Sequence, residues 1–380
     1  MLTQPTDGGV LQHVARLCAG LARHGHEPLV AGPFDEPVPG LEAEVLPLAM
    51  VRAVAPAADA RSVAGLVRLV RRVRPALVHA HSSKAGAAAR LARPAYPRTP
   101  LVYTPHGYAF AGYFESDSER SRYRMMERAL APLATRVLCV CEAERRLAAS
   151  VGPERRTRVV HNGIPGPDPA PVHPAVAALR ARGPVVGVLT LLRPGKGIET
   201  LVDALPDVLT AHPGASVAIA GGGADRERLA ALARERGVGD AIHMIGETRG
   251  PMPLLAGADV FVSASWAESF PYNVLEAMAA GLPVVATDVG GTAEAVEHRV
   301  TGIVVAPRDP GALAAAIREV LGDPALGARL GSAGLARQRE LFSLERMIDG
   351  TLQVYAECAD SISKMTPVPS GVHSSSVRDA

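Results

Sequence analysis

Cysteine, lysine and aromatic residues are all scarce in this chain of 380 residues. Its four cysteines, Cys18, Cys139, Cys141 and Cys358, are too few and too scattered for a disulfide framework. No apolar run approaches the ~20 residues of a membrane-spanning helix. Both absences point to a cytoplasmic protein. Cys139 and Cys141 share one face of an apolar strand segment, "TRVLCVCEAE", and without a second Cys/His pair they read as packing residues rather than metal ligands. Aromatics make up 4% against 48% hydrophobic residues, so the expected core is aliphatic. An excess of either charge is missing too: 40 basic residues face 38 acidic ones, a net charge of +2, which supplies no general attraction to nucleic acid. Only Lys84, Lys196 and Lys364 are lysines, so arginine is the default cation. A lysine in such a chain marks a place where a compact ammonium suits better than a planar guanidinium.

The length suggests two domains. From residue 10 the pattern alternates helix and strand: "VLQHVARLCAGLARHGH" has helical spacing, and "EPLVAG", "ALVHAHS", "PLVYTPHG", "TRVLCVCE" and "TRVVHNG" read as short strands. The Pro/Gly-rich "GIPGPDPAPVHP", residues 163–174, breaks this rhythm and is the candidate linker. Strands then resume with "PVVGVLTLL", "ASVAIAGGG", "AIHMIGE", "DVFVSAS", "LPVVATD" and "TGIVVAP". The division expected is a first α/β domain over 1–170, a second over 171–345, a last helix over 346–362 and a disordered polar tail over 363–380. The chain opens "MLTQPTDGGV", with almost nothing ahead of its first glycine turn. A doubly wound sheet needs a central first strand, so "MLTQ" reads as the tail of a strand that starts upstream; the alternative is a domain that begins at its first helix.

Three glycine-rich stretches compete as phosphate sites. "TLLRPGKGIET" lacks the first glycine and the magnesium-binding Ser/Thr of a P-loop, and "AGGGADRERL" has Arg226 where a dinucleotide fingerprint has its third glycine. The third reading joins distant pieces: Gly8-Gly9 opening the first helix, Arg193 and Lys196 at a strand-to-helix turn, and a helix starting near Pro271. Helix starts present unpaired N–H groups, and two such ends across a cleft suit a diphosphate. In "ESFPYNVLEAMAAGLP", Glu268 and Glu276 then stand eight residues apart around the last of these turns. Glu276, within the helix, can accept hydrogen bonds from the vicinal hydroxyls of a ribose, and Glu268, before it, from a sugar on the far phosphate.

These residues, with "HNGI" and the trailing "EAMAAGLPVVATDVGG", resemble glycosyltransferase family 4 along nearly the whole chain. The resemblance implies the GT-B fold, two Rossmann-like doubly wound domains facing a cleft, and a retaining transfer from a UDP- or GDP-sugar to a hydroxyl acceptor. It also implies no cofactor, no required metal, and a final helix that crosses back to the first domain. By position, Glu276 would hold the donor ribose and Glu268 the donor sugar, with the diphosphate on the backbone of Ser269 and Phe270. Lys196 would neutralise the leaving phosphate, Gly9 would let the first loop approach it, and His106 would face sugar and acceptor. The arginine common in the family five residues before the lysine is Leu191 here, leaving Arg193 as the substitute. A silent sugar-nucleotide-binding or scaffold protein and a sugar-nucleotide epimerase are the alternatives.

Other features read weakly. His79 and His81 share a strand face but lack carboxylate partners for a metal. "ESDSER" reads as a polar loop rather than a metal-binding acidic motif, and Lys84 as a surface residue or a contact for an acidic acceptor. The segment "RSVAGLVRLVRRVRP" could be a sheet-packed helix with solvated arginines, or a basic amphipathic helix touching an anionic membrane that carries a lipid-linked acceptor.

Overall fold

The computed structural model describes residues 1–34, 36, 38, 40–112 and 116–363, the last three by backbone only. The expected tail lies outside the described residues apart from the backbone of its first position, and Lys364 lies outside them altogether.

Short β-rich segments separated by helices leave parallel pairing as the natural arrangement, and every ladder between the named strands is parallel. The first sheet contains β1 (Leu2–Thr3), β2 (Leu29–Gly32), β3 (Glu44–Pro47), β4 (Val78–His81), β5 (Leu101–Thr104), β6 (Arg136–Cys139) and β7 (Thr157–Val159). Its order is β3-β2-β1-β4-β5-β6-β7. The second contains β8 (Val185–Leu189), β9 (Ser216–Ala220), β10 (Ile242–Gly246), β11 (Val260–Ser263), β12 (Val284–Thr287) and β13 (Ile303–Val305), ordered β10-β9-β8-β11-β12-β13. Both are doubly wound, as the resemblance implied, and parallel, as the α/β rhythm favoured. Leu2 of β1 pairs with Ala31 on one side and Ala80 on the other, so this two-residue strand fills the middle of its sheet.

Aliphatic side chains close the layers. Val186, Val217, Val260 and Val285 from four strands pack with Leu201, Leu205, Leu313 and Ile317 from the helices Ile198–Ala211 and Pro310–Gly322. The apolar face of the helix Pro56–Val73 is used in the same way: Leu66 and Val70 are buried with Leu2, Val78 and Ala80, and Arg68, Arg71 and Arg72 are left exposed. Lys84 is not a free surface charge, because its ammonium lies 2.6 Å from Asp59 and 2.8 Å from the Ala53 carbonyl. The polar-loop reading of "ESDSER" is corrected: the helix Asp117–Leu130 begins inside it, with Asp117 and Glu119 in the first turn, where carboxylates complement the helix dipole.

Residues 165–173 form neither helix nor strand. Ile164 bridges to Ser343, and the helix Leu344–Ser363 then returns to the first sheet. Leu344, Met347 and Ile348 pack on Leu17 and Leu21, while Val354 and Cys358 pack on Val102 and Leu138. Gly20 allows this crossing, since a Cβ there would sit 2.3 Å from the Ile348 side chain.

Candidate active site

Strand order reverses between β1 and β4 in one sheet and between β8 and β11 in the other. Loops leaving the carboxyl ends of neighbouring strands diverge at such a point and open a crevice. Here the two crevices face each other across a cavity of about 620 Å³. Gly9 and His106 line it from the first lobe, and Arg193, Lys196, Glu268, Ser269, Phe270 and Glu276 from the second. All eight sequence-predicted site residues therefore lie on one cavity.

The second lobe's wall starts at the turn after β8. Gly197 adopts φ +67°, and a Cβ there would lie 1.8 Å from the Ala264 carbonyl, so only glycine lets this turn sit against the loop after β11. That closeness places Lys196 Nζ 2.5 Å from Glu268 Oε1, which also accepts from Ser265 Oγ at 2.8 Å. Both side chains are mostly covered. A cation thus stands beside a carboxylate that has hydrogen-bonding capacity to spare. Pro271 is extended (φ −77°, ψ 119°) and caps the helix Tyr272–Ala279 rather than occupying its first turn. Glu276 follows within that helix and meets Arg16 of the first helix, Gly8–Arg23, at 3.2 Å. Burial pushes the Glu276 carboxyl above its usual range, and Arg16 opposes that rise. The same guanidinium stands 4.7 Å over the Tyr272 ring. Leu191 and Arg193 are both exposed at the rim.

In the first lobe's wall, Gly8 has φ +70°, and a Cβ on Gly9 would lie 3.4 Å from the Tyr272 ring. His106 holds φ +53°, a left-handed conformation that a non-glycine residue keeps only when its surroundings demand it. Glu144 helps to impose it, accepting from the neighbouring Gly107 N–H at 2.5 Å and from Val140 N–H at 2.8 Å. Glu144 also accepts from Ser269 Oγ at 3.1 Å, which ties the two walls together. Behind His106 lie three more histidines. His106 Nε2 is 3.0 Å from His81 Nδ1, and the His13 ring centre is 4.5 Å from that of His106. His79 is satisfied by Thr104 Oγ1 at 2.8 Å and by the Tyr355 hydroxyl at 2.6 Å. Burial lowers the pKa of His79, His81 and His106 well below the ordinary value and that of His13 to about 4, so the whole group is neutral.

Sequence reasoning missed Arg16, His13, Tyr272 and Asn162. Asn162 was visible only as part of "HNGI", yet its Nδ2 donates to the Phe270 carbonyl at 2.8 Å and its Oδ1 faces His13 Nδ1 at 3.2 Å. The other three act across the cleft from positions 259 and 260 residues apart, which no local pattern signals.

Two family models cover the two lobes: one described as Glycosyltransferase Family 4 matches residues 7–165, and one described as Glycosyl transferases group 1 matches 172–337. The chain is 31% identical to glycogen synthase of Mycobacterium tuberculosis over 293 residues, 74% of this chain and 69% of that protein. It is 30% identical to the D-inositol 3-phosphate glycosyltransferase of Thermobispora bispora over 375 residues, 92% and 82% of the two chains. Among solved structures, sucrose-phosphate synthase from Thermosynechococcus elongatus superposes with a TM-score of 0.80 at 25% identity, covering 95% of this chain and 98% of that one. Anabaena HepE, solved with UDP and glucose, shares the fold with a TM-score of 0.75 at 23% identity over the same shares.

Proposed function

Because the chain belongs to glycosyltransferase family 4 and is a nucleotide-sugar-dependent glycosyltransferase of GT-B fold, we propose that it transfers the sugar of a UDP- or GDP-sugar to a hydroxyl acceptor. In this reading the transfer retains anomeric configuration and requires no metal. The observation that carries it is the convergence of Lys196, Glu268 and Glu276 with His106 on one cavity between the lobes.

In this reading the diphosphate lies over the turn at Ser269 and Phe270, where the start of the helix Tyr272–Ala279 offers N–H groups and the positive end of its dipole. Lys196 and Arg193 offset the charge that develops as the bond from the anomeric carbon to the phosphate oxygen breaks. Glu276 accepts from the ribose hydroxyls and Glu268 from the sugar hydroxyls, with Lys196 shared between the carboxylate and the phosphate. The acceptor oxygen approaches from the face the diphosphate leaves, beside His106, and its proton passes to the departing phosphate oxygen. Positioning and leaving-group stabilisation thus supply the catalysis, and no side-chain nucleophile is needed. The exposed Arg68, Arg71 and Arg72 would serve a lipid-linked acceptor by holding the protein at the anionic cytoplasmic face of a membrane. No described helix is long and apolar enough to cross one.

The test is a panel of UDP-, GDP- and dTDP-sugars read by thermal shift, since ligand at ~100 times its dissociation constant adds about 2.7 kcal/mol of stability. Turnover with the stabilising donor follows, after exhaustive EDTA treatment, with the product's anomeric configuration read by NMR. Turnover restored only by Mg²⁺ or Mn²⁺, or an inverted product, would overturn the reading.

A further inference from the structure

We propose that His13, His81 and His106 form a binding site for a divalent metal ion that prefers imidazole, Zn²⁺ foremost, and that its occupation inhibits transfer by taking His106 away from the cleft. One ring nitrogen from each histidine lies within 4.8 Å of the others. The ring centres are 5.4 Å (His13–His81), 4.5 Å (His13–His106) and 5.3 Å (His81–His106) apart. Three imidazoles on a tetrahedral zinc at ~2.0–2.1 Å per bond have ring centres roughly 5 Å apart, so the rings already stand at the required spacing.

The hydrogen bonds assign the protons. Asn162 Nδ2 donates to the Phe270 carbonyl, which turns Asn162 Oδ1, an acceptor only, to 3.2 Å from His13 Nδ1; the Tyr272 hydroxyl stands 2.9 Å from the same nitrogen, and with the proton on Nδ1 both oxygens accept from it. His13 Nε2 therefore carries a lone pair, and it is buried without a hydrogen-bond partner. His81 Nε2 is equally buried and unpartnered. Two orphaned ring nitrogens on rings whose centres are 5.4 Å apart are costly unless something fills their demand. The Asn162 contact is also the kind of outer partner that orients a metal-bound histidine. His79 is outside the site because both its nitrogens are engaged. Of the three ligands only His106 lines the cleft, so the ion enters from there. Arg16, whose charge acts on His13, is offset by its pairing with Glu276.

The inhibitory half rests on the transfer reading above; binding does not. The metal-free full chain is titrated calorimetrically with ZnCl₂ alone, and Co²⁺ is added separately to read the visible absorption of a four-coordinate site. We expect one ion per chain. Binding should weaken at least ~10-fold in His81→Asn and ~10–100-fold in Asn162→Ala, and stay unchanged in His26→Asn, an exposed control. Agreement of Asn162→Ala with this pattern decides the matter if His81→Asn fails to fold. Absence of stoichiometric binding, or binding unchanged in His81→Asn and Asn162→Ala, overturns the site. Bound Zn²⁺ that leaves donor turnover unchanged overturns the inhibition. A chain that turns over no donor sinks the transfer reading, while the calorimetry still decides the metal.

Discussion

The two walls of the cleft are built by different means. The second lobe concentrates its chemistry in two short segments, the cations in 193–197 and the carboxylates in 265–276, which the turn at Gly197 brings together in space. The first lobe gathers His13, His81 and His106 from a helix, a strand end and a loop, and holds them with Asn162 and Glu144 from elsewhere in the chain. One wall sets its charges in two short segments; the other gathers neutral imidazoles at long range. A charged wall suits a nucleotide diphosphate, which must be neutralised. A wall of neutral imidazoles suits hydroxyl groups, which must be positioned.

Substitutions sharpen or break this contrast. The largest effect is expected from Lys196→Ala, which should lower turnover by about 10²–10³ at saturating donor, the usual cost of removing one group that stabilises developing charge. Near-normal steady-state turnover of the folded variant would move the diphosphate chemistry off this wall. Glu276→Gln should weaken both donor and free nucleoside diphosphate by roughly 1–3 kcal/mol, whereas Glu268→Gln should spare the diphosphate and lose turnover. Calorimetry with UDP and GDP, then with the matching donor, separates the two; equal losses of diphosphate affinity would mean that they do not divide ribose from sugar. Arg193→Ala should cost only about 1.4 kcal/mol, a tenfold rise in donor KM, because this exposed guanidinium is screened by solvent. A loss as large as that of Lys196→Ala would make it the full replacement for the arginine absent at Leu191. The smallest effect is the coupling across the cleft: a double-mutant cycle of Arg16→Met and Glu276→Gln, followed by urea unfolding, should return about 1 kcal/mol. A coupling of zero would show that the walls are held together by Glu144 and Ser269 instead.

How far the site could be read in advance follows the same division. Glu268, Glu276 and Lys196 were legible because a strand end, a glycine turn and a helix start are local patterns with a local reason for charge. The histidine pair "VHAHS" was legible as a pair but was set aside for want of a carboxylate. Its companions were other histidines, 68 residues before and 25 after His81. Lys84 read as an open question because its partner, Asp59, is on another helix. "ESDSER" read as a loop because its charges mask a helix start when the buried contacts of that helix, Glu127 with Arg90 among them, are not in view.

By itself, the sequence determined the alternation of helix and strand, the break near 163–174, the two lobes' parallel sheets and which charged residues would line the cleft. Each of these depends on spacing within a few turns of chain. Only the tertiary structure decided that two residues of β1 suffice between β2 and β4, that the carboxyl ends of β4 and β5 meet the first helix at His13, and which side chains of Leu344–Ser363 seal the first lobe. Strand order in a parallel sheet is set by crossovers whose hydrogen bonds and buried faces form between distant segments. The neutrality of the four histidines was decided there as well, because desolvation belongs to the assembled core and to no residue alone.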